Sequence, residues 1–367
     1  MSVTVHGTNG VTFNDGSLQA SAPIGKNKII NGDMRIDQRN AGSAVTTSSD
    51  YTLDRWKFQE GGAGGQVTSV QQVTDAPAGF VHSVKLTNTT ASSSVTADAY
   101  NMLWQAVEGL NWSDLGWGAS GALTATLSFW VKASIAGNYS VAIRSNNYDR
   151  SYVSAYAISS ADTWEQKTIT IAAPTAGTFS TTNTKAIQVA FTNSMGSNWT
   201  SSGNDAWQSE SKLGATGTQV ALTDTLNSTW QVTGVQLEVG SSATDFEHRP
   251  YDMELARCQR YCWKHGGEAA GQFLNAQGAY WDANYIAFGL VSPPVPMRAA
   301  PSLTEYGTVI VHRLNTNYTG WTWGFITGVQ SQSWFVSGNK SSHGVTAQHS
   351  IVKCSTTSDF FIYSAEL

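Results

Sequence analysis

Charge is scarce in this 367-residue chain. Charged residues make up 13%, about half of what ordinary soluble domains carry. The balance of 21 basic and 26 acidic residues gives a net charge of −5, and no basic run stands out. A sequence-general nucleic-acid binder needs a cationic stripe along one face, so that class is excluded. No stretch of 18 apolar residues exists, which excludes a helical membrane span. The opening MSVTVHGTNG has neither the charged nor the apolar region of a secretory leader, so synthesis in a cytoplasm is expected.

Cysteine is scarcer still. Three are present, too few and too odd in number for a disulfide framework. Cys258 and Cys262 are four residues apart and Cys354 is distant. No Cys-x-x-Cys pair supports a metal centre, and His265 alone does not complete one. Packed or free thiols are the expectation. Catalytic spacing is missing too. Asp282, Glu305 and Asp359 are scattered, as are Asp205 and Glu210, and no spacing selects the paired carboxylates of a glycosidase. There is no Gly-x-Ser-x-Gly elbow and no coil repeat of the β-helix type. The chain is therefore expected not to be an enzyme.

Gly, Ser, Thr and Asn take the place of the missing charge. That composition favours short strands and tight turns over helices. Period-2 alternation recurs in at least eight segments between Gly65 and Val239, separated by turn clusters such as Asp75–Gly79 and Pro174–Gly177. The pattern predicts an all-β chain with a β-sandwich over residues 28–247. Before it, residues 1–27 read as a small β-hairpin segment with a turn at Asn14-Asp15-Gly16, too short to bury a core. After it, Asp252 can cap a helix over Met253–Trp263, closed by Gly266-Gly267, in a joint spanning 248–265. Residues 266–367 read as a smaller β domain entered through the proline-fixed stretch VSPPVPMRAAPSL.

Aromatic residues are abundant, with 14 Trp and 13 Tyr. Flat rings stack on the C–H faces of sugars and bury much area at small entropic cost. Trp56, Phe129, Trp130, Trp164 and Trp230 lie in strand contexts and are expected in the core, as are Trp112 and Trp117. Trp199 and Trp207 lie in the polar stretch Asn198–Gly217 and are candidates for exposure and binding. In the C-terminal domain Tyr318, Trp321, Trp323 and Trp334, beside Asn315, Asn317 and Asn339, form the preferred glycan-binding set.

Several runs resemble a segment found across tailed-phage and prophage tail-fibre proteins. They are WQVTGVQLEVG, FEHRPY and ELARCQRY at 230–261, KIINGDMRIDQRNAG at 28–42, QAVEGLNWSDLGW at 105–117 and LSFWVKAS at 127–134. The resemblance covers residues 28–265. It implies a jelly-roll, carbohydrate-binding-like module followed by a helix and a C-terminal tip domain. It further implies a virion tail protein assembled in the bacterial cytoplasm, attached to other tail proteins through residues 1–27 and facing host-surface glycan. A homotrimer is expected, with Glu247, Arg249, Glu254 and Arg257 pairing between protomers while Leu255, Cys258 and Cys262 face the axis. No cofactor is expected. Such modules can hold a structural Ca²⁺, for which Asp33, Asp37, Asp50 and Asp54 are near enough in sequence. The alternatives are a head fibre or decoration protein built on the same module, and a glycan-cleaving tailspike.

Overall fold

The computed structural model describes residues 4–6, 10–12, 18–19, 25–62, 65–92, 95–217, 219–270, 272–280, 285–313, 316–325, 332–340 and 349–367. The protein is all-β, and it divides into two units, Met1–Pro250 and Tyr251–Leu367.

The first unit opens with β1 (Thr4–His6), β2 (Gly10–Thr12) and β3 (Leu18–Gln19), a three-stranded antiparallel sheet in that order. The expected Asn14-Asp15-Gly16 turn lies outside the described residues. The sandwich follows. Its strands are β4 (Asp50–Leu53), β5 (Trp56–Gly61), β6 (Val67–Val73), β7 (Ser83–Thr90), β8 (Tyr100–Glu108) and β9 (Ala125–Ala133). Then come β10 (Gly137–Ser145), β11 (Ser151–Ile158), β12 (Glu165–Ile171), β13 (Lys185–Met195), β14 (Trp207–Gln208) and β15 (Thr229–Val239). One sheet runs β14-β11-β10-β13-β8-β5-β4 and the other β12-β9-β15-β7-β6. The connections β8 to β9, β9 to β10, β11 to β12 and β12 to β13 each pass from one sheet to the other, as a jelly roll requires.

Each strand sends alternate side chains between the sheets. In β9 Leu127, Phe129 and Val131 are fully buried there; in β8 Leu103 and Val107 are, and in β13 Val189 and Phe191. Trp56 and Trp230 complete the aromatic centre, 6.3 Å and 5.6 Å from the Phe191 ring.

The last sandwich strand is completed by the chain's own lead-in. β15 pairs with β7 only over Thr229–Val232. At Gly234 (φ 61°) the ladder with β9 slips between Thr233 and Gln236. This bulge changes which residues face inward: Trp230 and Val232 before it, Val235 and Leu237 after it. Beyond the bulge, residues 27–32 lie along β15. The Lys28 N–H donates to Leu237 O, the Val235 N–H to Gly32 O, and the Asn27 side chain bonds Val235 O and the Leu237 N–H. Gly32 is required there, because a Cβ would stand 2.2 Å from Val235 O.

The second unit begins with α1 (Tyr251–Gln259) and continues with β16 (Cys262–Gly266), β17 (Phe273–Tyr280), β18 (Tyr285–Val291), β19 (Ser302–Tyr306) and β20 (Val309–Arg313). β21 (Thr316–Tyr318), β22 (Thr322–Phe325), β23 (Trp334–Asn339), β24 (His349–Cys354) and β25 (Phe360–Ser364) complete it. The sheets are β16-β25-β19 and β21-β20-β24-β17-β18-β23-β22. The helix is shorter than its sequence suggests. It stops at Gln259 because Cys262–Gly266 pairs with Phe360–Ser364 and the Ala365 N–H bonds Tyr261 O. That pairing places Trp263 on a strand. Val309, Val311, Val352, Phe361 and Tyr363 form the core of this unit.

Candidate functional site

The outer face of the five-stranded sheet carries the aromatic surface that best fits a ligand. Because Phe129 and Val131 point inward, Trp130 and Lys132 point outward. Trp130 lies across from Gln166 of β12 and Thr233 of β15, and Lys132 lies across from Gln231. Trp164, one residue before β12, continues the register opposite Lys132, so the two indoles are diagonal neighbours on one face. Both are half-buried.

Asp75 fixes this face. It accepts the Trp164 Nε1–H at 3.3 Å and the Gln231 Nε2–H at 3.2 Å, and it pairs with Lys132. Burial pushes its carboxyl up, but the hydrogen bonds from Lys132, Trp164 and Gln231 outweigh that and hold it below the ordinary range. Lys132 Nζ also lies 5.2 Å from the Trp164 ring centroid. On the other side of Trp130, Phe80 packs against Phe246 (5.1 Å) and the exposed His248 (5.3 Å). Gly234 lies under this group. A Cβ there would meet the Phe80 ring at 2.7 Å and Trp130 at 3.1 Å. The face thus presents half-open rings with the exposed Gln166 amide beside them, the pairing of stacking surface and hydrogen-bonding groups that a sugar needs.

Sequence reasoning missed this face by placing Trp130 and Trp164 in the core. The missing signal was local. Phe129 and Trp130 are adjacent in one strand, so one of them must face outward. Trp56, Phe129 and Trp230 are buried as expected, and so are Trp112 and Trp117.

The aromatic residues singled out for binding are used differently. Trp321 is 6% exposed within the core of the second unit, so its ring faces are covered by its own domain. Trp323 is half-buried, 6.3 Å from Trp321 and edge-on to Phe361 at 5.2 Å. Tyr318 and Trp334 lie on β21 and β23, but their side chains are outside the described residues. β21 and β22 stand at opposite ends of the sheet order, so Tyr318 is not brought beside Trp323 within the sheet. Trp199 is half-buried, donates Nε1–H to Asp98 O at 2.9 Å and meets Tyr100 edge-on at 5.4 Å. Trp207 donates to Ala172 O at 2.7 Å and packs on Trp117 at 5.2 Å and Phe179 at 5.8 Å. The polar stretch around these two is docked on the sandwich, with Leu213 and Ala215 buried.

The charges assigned to contacts between protomers are engaged within the chain. Arg249 is 4% exposed; its guanidinium donates to Ile29 O, Asn27 O and Glu247 Oε2. Glu247 accepts the Asn27 N–H at 2.8 Å and the Gly25 N–H. The pair clamps the end of the first unit onto residues 25–29. Glu254 and Cys258 are the buried residues of α1, while Leu255 and Arg257 are half-buried. Cys258, Cys262 and Cys354 are buried free thiols.

The four aspartates near the start have separate duties. Asp33 pairs with Arg35, Asp37 accepts the Asn40 and Gly42 N–H groups, Asp50 accepts its neighbour's N–H, and Asp54 binds Gln38. Among the described residues no group of three His, Cys, Asp or Glu side chains is placed to hold a metal ion.

One carboxylate pair does form that spacing did not reveal. Glu305 accepts the Val309 N–H at 3.0 Å and Asp359 accepts the Thr308 N–H at 2.8 Å. Burial, reinforced by the negative Asp359, raises the Glu305 carboxyl above its ordinary range. Asp359 is 3% exposed and also accepts the Thr356 N–H. Both groups therefore anchor turns, and Asp359 has no open side from which to activate water.

The sequence matches no family model and no curated protein. Among solved structures the chain is similar to the enzymatically active domain of Bacteriophage CBA120 tailspike protein 4, at 12% identity and a TM-score of 0.31, over 59% of this chain and 22% of that one. It is similar to the CBM22-1 xylan-binding domain from Paenibacillus barcinonensis at 11% identity and a TM-score of 0.28, over 56% of this chain and 99% of that one. A third similarity is to the family 11 carbohydrate-binding module of a Clostridium thermocellum cellulase, at 13% identity and a TM-score of 0.27, over 55% and 98%. At these scores the jelly-roll assignment rests on the strand pairing of the chain itself.

Proposed function

We propose that this protein is a non-catalytic adhesin of a phage tail, which holds host-surface glycan on the outer face of the five-stranded sheet. The observation that carries the reading is the half-open Trp130–Trp164 surface, fixed by Asp75 and backed by Phe80 and Gly234. Rings held in place before the ligand arrives lose little freedom on binding, so a shallow face can hold a sugar. The tail assignment is supported by the sequence runs that resemble those of tail-fibre proteins. A homotrimer presenting several such faces would turn weak contacts into firm attachment.

A glycan array probed with the full chain tests the reading. Binding to surface polysaccharides is expected, with loss in Trp130→Ala and Trp164→Ala and retention in Trp321→Ala provided that variant still melts cooperatively. Retained binding in both of the first two variants would refute the site. Locating the protein on the particle separates a tail fibre from a head fibre, since label at the capsid contradicts the tail assignment. The cleaving alternative would need the Glu305–Asp359 pair as its acid and base, although both groups anchor turns and Asp359 is closed to solvent. It predicts new reducing ends on incubation with polysaccharide, abolished by Glu305→Gln; the adhesin reading predicts none.

A further inference from the structure

The opposite face of the sandwich has a different chemistry. On the outer side of the seven-stranded sheet, Arg144 of β10 lies across from Gln188 of β13. Its side chain is 7% exposed, and its hydrogen bonds go to neutral oxygens: Nη1 to Gln188 Oε1 at 3.1 Å and Nη2 to Ser211 Oγ at 2.6 Å. Its Nε–H is buried with no acceptor among the described residues. The guanidinium carbon stands 4.2 Å from the Tyr148 ring centroid, and Lys185 Nζ stands 3.6 Å from the same centroid. Two cations therefore share one ring, and among the described residues neither forms an ion pair.

Placing an unpaired cation under a protein surface is costly, and burial lowers the Arg144 guanidinium to about 10. The cost is compounded at Tyr148. That residue is 37% exposed and holds a left-handed backbone (φ 60°) that non-glycine residues seldom adopt. The strain persists because the hairpin fixes it: the Tyr148 N–H donates to Ser145 O, and Ser145 Oγ donates to Asp149 at 2.5 Å. A second buried donor without an acceptor among the described residues, Trp104 Nε1–H, lies on the same face across from Lys57, whose Nζ is 5.5 Å from the Trp104 ring. In a chain of net charge −5, this face combines positive charge, unused N–H donors and ring surface.

We propose that the outer face of the seven-stranded sheet binds the carboxylate of an acidic saccharide, gripped by Arg144 and Lys185 beside Tyr148. The ligand's nature rests on the glycan-binding reading above, while the site is a separate one on the other sheet. The carboxylate would supply a countercharge to Lys185 and Arg144, which form no ion pair among the described residues. The sugar ring would lie beside the exposed Tyr148 ring.

Titration calorimetry of the full chain with polygalacturonate and with its carboxyl-reduced form tests this. The acidic polymer is expected to bind at least tenfold more tightly, with affinity falling as salt rises. Lys185→Gln, a half-buried position that leaves the core intact, should weaken the acidic polymer about tenfold, and Arg144→Gln should do so at least as strongly, the loss of one charge-assisted contact. Neither should alter binding of a neutral polymer at Trp130 and Trp164. Equal affinity for the two polymers overturns the proposal. So does acidic binding that survives Lys185→Gln but is lost in Trp164→Ala, or failure of the acidic polymer to bind at all. Displacement by inorganic phosphate but not by free galacturonate overturns the carboxylate assignment. Loss of neutral binding alone contradicts the proposed function and leaves this site standing.

Discussion

Gly234 links the backbone to the ligand face. It occupies the left-handed region at the bulge, and the Phe80 and Trp130 rings close over the space where a side chain would be. Gly234→Ala should cost about 2 kcal/mol in urea unfolding, from backbone strain and displaced rings together. It should also weaken sugar binding by more than the stability loss explains. His265 makes a second single-residue case. Burial lowers its imidazole to about 4, and it stacks on Trp263 at 4.6 Å. In the unfolded chain the same group titrates near about 6.5. The neutral form favoured by folding is the form present above that pH. The stabilisation is therefore complete above about 6.5, and it is lost as pH falls through the window down to about 4. Unfolding measured at pH 7 and pH 4 should show a loss of up to about 3 kcal/mol from this group. The loss should be absent from His265→Phe relative to wild type; an unchanged pH dependence in that variant contradicts the assignment.

At the scale of elements, the bulge in β15 and the clamp at the end of the first unit do the organising. Arg249 and Glu247 hold the carbonyls and N–H groups of the lead-in segment, so Arg249→Met should leave a buried carboxylate unpaired. Chemical denaturation should register a loss of about 3 kcal/mol. Burial raises the Glu247 carboxyl, yet the Asn27 and Gly25 N–H groups and Arg249 bring it below the ordinary range. Its contribution is accordingly full above the unfolded carboxylate pKa and is lost as pH falls through the lower folded value, a loss absent from Glu247→Gln. Strand existence was legible because turn clusters and alternation repeat through residues 65–239. The bulge was not, since WQVTGVQLEV alternates acceptably in either register and only the approach of residues 27–32 selects one. The end of α1 was hidden for a similar reason: CQRYCWKH suits a helix, and the partner that draws Cys262–Gly266 into a sheet lies about a hundred residues away, at Phe360–Ser364.

At the scale of the molecule, the sandwich buries its large rings and leaves two chemically different outer faces. Six of the twelve tryptophans with described side chains are buried and the other six half-buried; none is exposed. Counting tryptophans therefore could not locate a site, and Trp321, chosen from its aromatic neighbours, proved to be core. Which sheet face a ring occupies depends on strand parity and on Gly234, and those follow from pairing rather than composition. The most direct test of the account is a titration of wild type and of Trp130→Ala/Trp164→Ala with the polysaccharide that the array selects, both proteins first shown to melt alike. The account predicts at least a tenfold loss of affinity in the double variant, from the stacking and desolvation that two rings provide. Equal affinity in the two proteins would contradict it.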